Sequence, residues 1–476
     1  MQPEQHTTEP TTPAPTRRAL LGLLAGGTGA GLALAALPAA AQSRPSRAAT
    51  TGGPVSAFGI DAATLGLRPG SPDDQTFVFQ RALDRAASAG APLALPPGVY
   101  RVGGVRLPDG IRLVGTPGAC RLLFLGGASL LSAERLARVS LDGLVLDGGG
   151  RPLPEDRALL HCEQVDALTI TNCTVAAADG TAIYASASGG TISDNRVTDA
   201  GDVAIQTRNA RSLVIARNVI AGAGNNGIQI MRFEAGEDGT LVLDNRIGNI
   251  RNRAGGTGQF GNAINVFRAN GVIVRGNRIG DCAFSGVRGN SASNLQIVGN
   301  TVTNVGETAL YSEFEFEAAV VSGNIVDGAQ MGVSIANFAS GGRVAVVQGN
   351  ILRNLSPRDA NPDPEFLLGV GMSVEADTAV TGNVVERASA VGIAAGWGQY
   401  LRDVALTGNV VRDCGIGIGV TVVPGARSTL VANNVISGSR RGAIVGLDHK
   451  RPATGDLATG GAERYPHLSV SGNKVS

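Results

Sequence analysis

The chain has no strong charge of either sign. Its formal net charge is +1 over 476 residues, and only 17% of residues are charged. That excludes the strong positive field that draws in nucleic acid or an anionic membrane surface. Basic charge is almost all arginine. Cysteine is scarce and odd in number, with five at irregular spacing (Cys120, Cys162, Cys173, Cys282 and Cys414). That excludes a disulfide framework and a zinc signature. Cys282 and Cys414 each follow a repeat asparagine by five residues, which puts them on equivalent rungs too far apart to bond. The expected role of the cysteines is that of small buried hydrophobes. Aromatics are only 4% of the chain, against 68 glycines. Glycine, asparagine and β-branched residues are the material of short strands joined by tight turns.

What is present is a repeat. The phrase reads ISDNRV at Ile192–Val197, VRGNRI at Val274–Ile279, IVGNTV at Ile297–Val302 and VSGNIV at Val321–Val326. It returns as VTGNVV at Val380–Val385, LTGNVV at Leu406–Val411 and VSGNKV at Val470–Val475. With looser copies, the asparagine falls at Asn172, Asn195, Asn218, Asn245, Asn277, Asn300, Asn324, Asn350, Asn383, Asn409, Asn434 and Asn473, with shortest gaps of 23 residues. A period in this range means stacked structural units and overrides the prior of two or three globular domains. Parallel strands need crossover connections, and a coil of strands supplies them through its turns. The expected fold is all-β: a single-stranded right-handed parallel β-helix of about fourteen coils and ~65 Å at ~4.8 Å per coil. Asparagine tolerates the left-handed conformation of a tight turn, and stacked asparagines hydrogen-bond along a ladder, so the repeat asparagines are read as structural.

Three domain-level segments are expected. Residues 1–41 carry Thr16-Arg17-Arg18-Ala19-Leu20-Leu21, an apolar stretch from Ala19 to Leu37 and Ala39-Ala40-Ala41, the pattern of a twin-arginine signal peptide cleaved before Gln42. Residues 42–57 read as a flexible linker, and 58–476 as the solenoid. Helical periodicity is clear only over 72–89, where Ser71 and Asp74 suggest a capping box, Pro72 suits the first turn, and Val78, Ala82, Leu83, Ala86 and Ala87 form an apolar face. Such a helix would cap the open first rung. At the other end, the loop at Asp448–Pro466 either folds over the last coil or leaves it to dock on a partner.

That helix, the following Pro92-Leu93-Ala94-Leu95-Pro96-Pro97-Gly98-Val99-Tyr100 and the rung Ser140–Gly148 resemble the start of the pectate-lyase-like right-handed parallel β-helix superfamily. With the twin-arginine leader and the asparagine-marked rungs, the chain resembles an exported, twin-arginine-translocated repeat family of uncharacterised function. The resemblance implies fold and export. It implies the twin-arginine export machinery as a partner, a periplasmic or secreted destination and no lasting membrane insertion. It carries no chemistry.

Aligning the chain with itself gives two outward columns on the strand before each asparagine. The first runs His161, Tyr184, Gln206 (or Ile205, the register there being open by one residue), Gln229, Asn265, Arg288, Tyr311, Ser334, Ser373, Ala394, Gly419, Val445. The second runs Glu163, Ser186, Arg208, Met231, Phe267, Asn290, Glu313, Ala336, Glu375, Gly396, Thr421, Leu447. Polar, aromatic and charged residues fill the middle coils, and the columns turn bland beyond Ala394. Such groups stack on sugars and hydrogen-bond their hydroxyls, so a polysaccharide is the expected partner, with an acidic glycan favoured. The insertions after Arg251 and Leu355 would wall the groove.

The sharpest segment is Tyr311–Glu317, whose alternation would set Glu313, Glu315 and Glu317 on one face and Phe314 and Phe316 on the other. Glu313 and Glu315 would stand ~6.6 Å apart, and Glu313 and Glu375 ~9.6 Å, near the spacing of an inverting glycosidase. The candidate catalytic residues are Glu313, Glu315, Glu375, Arg288 and Tyr311. The candidate substrate-binding residues are Gln229, Arg232, Asn265, Arg268 and Asn290. As a hydrolase, one glutamate would protonate the glycosidic oxygen and another activate water. As a lyase or epimerase, Arg288 with Arg268 or Arg232 would neutralise a uronate, and Tyr311 or a glutamate would move the proton. No cofactor is evident. A calcium ion would need clustered acids, which only Glu313 and Glu315 approach. His161 and Trp397 are lesser candidates, the latter as a sugar platform. The rival reading is a non-catalytic rod for cell-envelope binding or assembly.

Overall fold

Each coil of the chain lays down three short strands. One coil consists of Val203–Arg208, Val214–Ala216 and Val219–Ala223. Each strand pairs in parallel with its counterpart one coil on: Ile205 opposite Ile228, Ile215 opposite Val242, and Ile220 opposite Ile247. The first two strands of every coil belong to one continuous sheet and the third to a separate 15-stranded sheet. The computed structural model describes residues 55–56, 59–256, 258–336, 343–358 and 367–476. The leader and nearly all of the linker lie outside these residues. The described architecture is a right-handed parallel β-helix.

Inward positions from successive coils stack into one core. Ile183, Ile205, Ile228, Ile264, Val287, Leu310, Val333, Met372, Ile393 and Ile418 are all fully buried. β-branched and leucine side chains fill this row because their Cβ substituents pack across a 4.8 Å pleat without gaps.

The asparagine phrase forms a ladder. From Asn218 to Asn473 each asparagine Oδ1 accepts from the backbone N–H and the side-chain amide of the asparagine one coil before, at 2.9–3.0 Å in the Asn245, Asn277, Asn300 steps. Each Nδ2 also donates to a carbonyl of the previous coil, as Asn300 does to Val274 at 3.0 Å. Two expectations need correction. The left-handed residue is the one before the asparagine: Asp194, Arg217, Asp244, Gly276 and Gly299 all have φ between +55° and +70°. This is why glycine precedes asparagine so often. Asn172 sits in that left-handed seat itself, with φ +53°. The ladder seat there belongs to Cys173, whose N–H donates to Asn195 Oδ1 at 2.9 Å. Asn300→Ala is expected to remove these bonds and leave Val274 and Asn277 short of partners. The expected cost is about 2 kcal/mol in chemical denaturation, against near zero for an exposed Asn.

The capping helix is shorter than expected, Thr76–Ser88. Ser71 accepts from Asp73 N–H at 3.3 Å, and Asp74 accepts from both the N–H and the hydroxyl of Thr76 at 2.8 and 2.6 Å. The Ser71–Asp74 segment is therefore a pair of local turns leading into the helix. Phe79, Ala82, Leu83 and Ala86 form the buried face, and Phe79 meets Tyr100 edge-on. At the far end, Arg451–Asp456 folds back antiparallel on Ile444–Asp448. The Asp456 carboxylate accepts from Ala443 and Ile444 N–H at 2.7 and 3.0 Å. The loop thus covers the edge of the outward-facing strand, as one of the two sequence alternatives had it.

Candidate functional site

Both outward columns have the aligned register. His161 pairs with Tyr184, Gln229 with Asn265, Asn265 with Arg288, Arg288 with Tyr311, Tyr311 with Ser334, and Ser334 with Ser373. Gln206 is outward, opposite Tyr184 and Gln229.

The middle coils gather a buried charge cluster around Arg288. Its Nε donates to Glu313 Oε1 at 2.6 Å, its Nη1 lies 3.5 Å from Glu307 Oε2, and its guanidinium sits 5.2 Å over the Tyr311 ring. Asn290 Nδ2 donates to the same Glu313 oxygen at 3.0 Å, and Ser285 Oγ to Glu307 at 2.8 Å. Burial acts to lower the Arg288 pKa. The Glu313 and Glu307 carboxylates outweigh it and hold the group above its ordinary value. Burial first, then the Glu313 charge, pushes the Tyr311 phenol well above its ordinary value, and Tyr311 hydrogen-bonds Glu313. The insertion after Arg251 closes over this cluster. Gly258, at φ +134°, lies so near Arg288 Nη1 that a Cβ would stand 1.7 Å away. Asn265 anchors the same insertion through the Gln259 carbonyl at 3.0 Å.

Beside the cluster is a cleft of about 80 Å³, lined in part by Glu307, Tyr311, Gln330, Ser334, Glu375 and Trp397. Among the described residues its lining includes two carboxylates and no basic side chain. Trp397 stands edge-on to His449 at 5.2 Å.

The sequence-derived site is therefore only partly assembled. Arg288, Tyr311, Asn290 and Glu313 converge, and Tyr311 and Glu375 share the cleft. Glu313 is 1% exposed and held by Arg288 and Asn290, so it orients the cluster from beneath. Glu315 does not join it. The alternation breaks at Phe314, which turns left-handed at φ +55°, leaving Glu315 exposed and Glu317 paired with Arg343 at 2.9 Å. Phe316 is buried and Phe314 exposed, so the two do not share a face. Arg288 is committed to two glutamates and is not available to neutralise a substrate uronate. Gln229 lies higher on the face, within 3.4 Å of Gln206. Arg232 lies in an irregular stretch of the strand Asn226–Glu237 and Arg268 in the strand Ile264–Asn270, and neither lines the cleft. His161 is buried, stacked on Tyr184 at 4.7 Å and bonded to Glu163 at 2.9 Å.

Glu307 was missed because it precedes the strand and stands in neither outward column. A third self-alignment would have found it. Asn262 N–H donates to Asn226, Ser285 N–H to Asn262, and Ser285 Oγ to Glu307, a polar column at the turn entering the face.

The fold and this face define a right-handed β-helix with a carboxylate-lined cleft. A profile described as a right-handed β-helix region matches residues 138–258, and one described as periplasmic copper-binding protein (NosD) matches 250–446. With the fold, these matches place the chain in the right-handed β-helix superfamily. No curated protein sequence matches it. Among solved structures it is similar to pre-mature gene product 12 of bacteriophage phi29, at 15% identity and TM-score 0.52 over 82% of this chain and 55% of that one. The chain thus spans about half the length of that phage protein. It is also similar to PfbA, a surface adhesin of Streptococcus pneumoniae, at 14% identity and TM-score 0.50 over 83% and 94% of the two chains. The mannuronan C-5 epimerase AlgE6 A-module of Azotobacter vinelandii aligns at 18% identity and TM-score 0.44, over 87% and 99%. At such identities the similarity concerns the fold.

The copper-binding description was tested against the donors present. The matched span 250–446 contains no histidine. Its cysteines are buried, with burial pushing the Cys282 thiol up to about 12 and Cys414 upward as well, far from the thiolate a soft metal needs. Among the described residues no group of three or more His, Cys, Asp or Glu comes together. These residues do not fit a copper centre, nor do Glu313 and Glu315 together fit a calcium site. Among the described residues no helix is long and apolar enough to cross a membrane.

Proposed function

We propose that the chain is an exported polysaccharide-acting protein whose cleft hydrolyses a glycosidic bond, with Glu307 and Glu375 as the carboxylate pair. The observation that carries this reading is the lining of the cleft, where two acids, a tyrosine, a glutamine and a tryptophan meet on adjacent coils. Ser285 and Arg288 both direct N–H or O–H groups at Glu307, which suits a carboxylate acting as base on water. Glu375, across the cleft, then protonates the leaving oxygen. Tyr311 stays protonated and orients sugar hydroxyls. Trp397 supplies an apolar platform. Because the described lining has no basic group, the ring bound there is a neutral or amino sugar; an acidic unit of the same glycan belongs elsewhere on the face. Export by the twin-arginine route to the periplasm or beyond is part of this reading, supported by the leader pattern and by the match to a family described as periplasmic. The bland columns beyond Ala394 favour the rival, a non-catalytic envelope-binding rod.

The test is a panel of neutral, amino-bearing and acidic polysaccharides incubated with the mature protein. New reducing ends from a neutral or amino glycan are expected, without ultraviolet absorbance from unsaturated products. Binding without turnover on every glycan would favour the rod. Unsaturated products would replace the hydrolase with a lyase.

A further inference from the structure

The same face carries a second feature, two coils before the Arg288 cluster. In the strand Asn226–Glu237, Met231 pairs with Phe267 and Gly236 with Ala269, so Arg232 to Ala235 bulge out opposite Arg268 alone. Bulges re-aim side chains and recur beside functional sites. This one projects Phe233, which is 61% exposed although it is among the largest apolar side chains of the molecule. Three guanidiniums converge on the bulge. Arg208 lies 4.8 Å over the Phe233 ring and 5.7 Å over that of Tyr184. Arg268 Nη1 donates to the Phe233 carbonyl at 2.8 Å. Arg232 packs its Nε beside Gly236, where a Cβ would stand 3.4 Å away. Among the described residues the buried Nε atoms of Arg208 and Arg232 have no hydrogen-bond partner. Among the described residues none of the three forms an ion pair, in contrast to Arg288 with its two glutamates. Glu234, Glu237 and the buried Asp238 are the nearby acids in sequence; the Arg232 charge acts on the Asp238 carboxyl, and the three guanidiniums stay gathered around the exposed Phe233 ring.

We propose that this bulge is a subsite for the anionic unit of an acidic glycan, a uronate or a sulfated sugar. The open face of Phe233 stacks on the pyranose ring, and Arg208, Arg232 and Arg268 hold the carboxylate or sulfate. The inference rests on the glycan-binding reading of this face but not on hydrolysis at Glu307 and Glu375. It gives the arginine-rich bulge and the carboxylate-lined cleft separate tasks: the bulge anchors an acidic unit and the cleft receives a neutral one.

The full chain is titrated by calorimetry with an oligogalacturonate, its methyl ester and a chondroitin sulfate oligosaccharide, at low and physiological ionic strength. The galacturonate, the sulfated sugar or both should bind, more weakly as salt rises. The methyl ester should bind at least roughly tenfold more weakly than the free acid if the uronate is the ligand. Phe233→Ala and Arg268→Ala should each weaken acid binding roughly tenfold, with circular dichroism unchanged because both side chains are exposed. Glu375→Gln should leave acid binding intact. Equal binding of ester and acid together with no sulfate binding, no acid binding at low salt, or unchanged affinity in Phe233→Ala would each overturn the proposal. Acid binding without turnover of any neutral glycan would remove the hydrolase reading and leave this one standing.

Discussion

Glu375→Gln is expected to lower the release of reducing ends by at least about 100-fold, the usual contribution of one positioned acid or base. The substitution is nearly isosteric, so the fold and the binding of the glycan should persist. Glu307→Gln should act similarly on turnover, with a modest loss of stability because Arg288 then keeps only Glu313. The informative contrast is Glu313→Gln. Glu313 does not line the cleft and is held from two sides by Arg288 Nε at 2.6 Å and Asn290 Nδ2 at 3.0 Å. Its loss should act through the positions of Arg288 and Tyr311, lowering stability together with turnover. If Glu313→Gln abolishes turnover with an unchanged melting transition while Glu375→Gln is active, the catalytic acid lies on the strand and the cleft assignment is wrong.

Arg288→Ala should destabilise the middle coils by about 3–5 kcal/mol, the cost of leaving buried charges without their partner. Glu307 and Glu313 are 6% and 1% exposed, so solvent cannot take the place of the guanidinium. The deficit should shrink as the pH falls into the carboxylate range. Unpaired burial raises a carboxyl's folded pKa above its unfolded value. The variant therefore gains on acidification, where the carboxyls are neutral, and loses as the pH rises through the raised folded value. Arg288→Lys restores the charge but not the fork that reaches both glutamates, and should recover only part of the loss. Urea unfolding followed at Trp397, the one tryptophan of the chain, reads the coils beside the cleft. A melting profile indistinguishable from the parent at neutral pH would show that the cluster contributes little to stability.

Much of the architecture was legible because it repeats. Once the asparagine ladder sets the ruler, a strand's neighbour one coil away is fixed by counting, and both outward columns follow; at Gln206 the structure chose between two registers. The errors arose where the chain departs from its own period. The strand Thr308–Glu313 stops three residues into the alternating run Tyr311–Glu317, and the left-handed Phe314 leaves Glu315 exposed while Glu313 is buried. Asn172 occupies the left-handed seat because Cys173 holds the rung position. Glu307 and Phe233 were invisible to the columns, one at the turn that enters the face and the other on a bulge.

The sequence by itself determined the coil, its register, the presence of one helix before the coils and the face on which polar residues gather. All of these depend on backbone periodicity, which one-dimensional spacing encodes directly. Only the tertiary structure decided which charges meet. Arg288 is neutralised by Glu307 and Glu313 under the Gly258 loop, whereas Arg208, Arg232 and Arg268 surround Phe233 with no ion-pair partner among the described residues. That division depends on how insertions and bulges fold back over the face. Their geometry comes from local left-handed turns and side-chain contacts that the repeat does not carry.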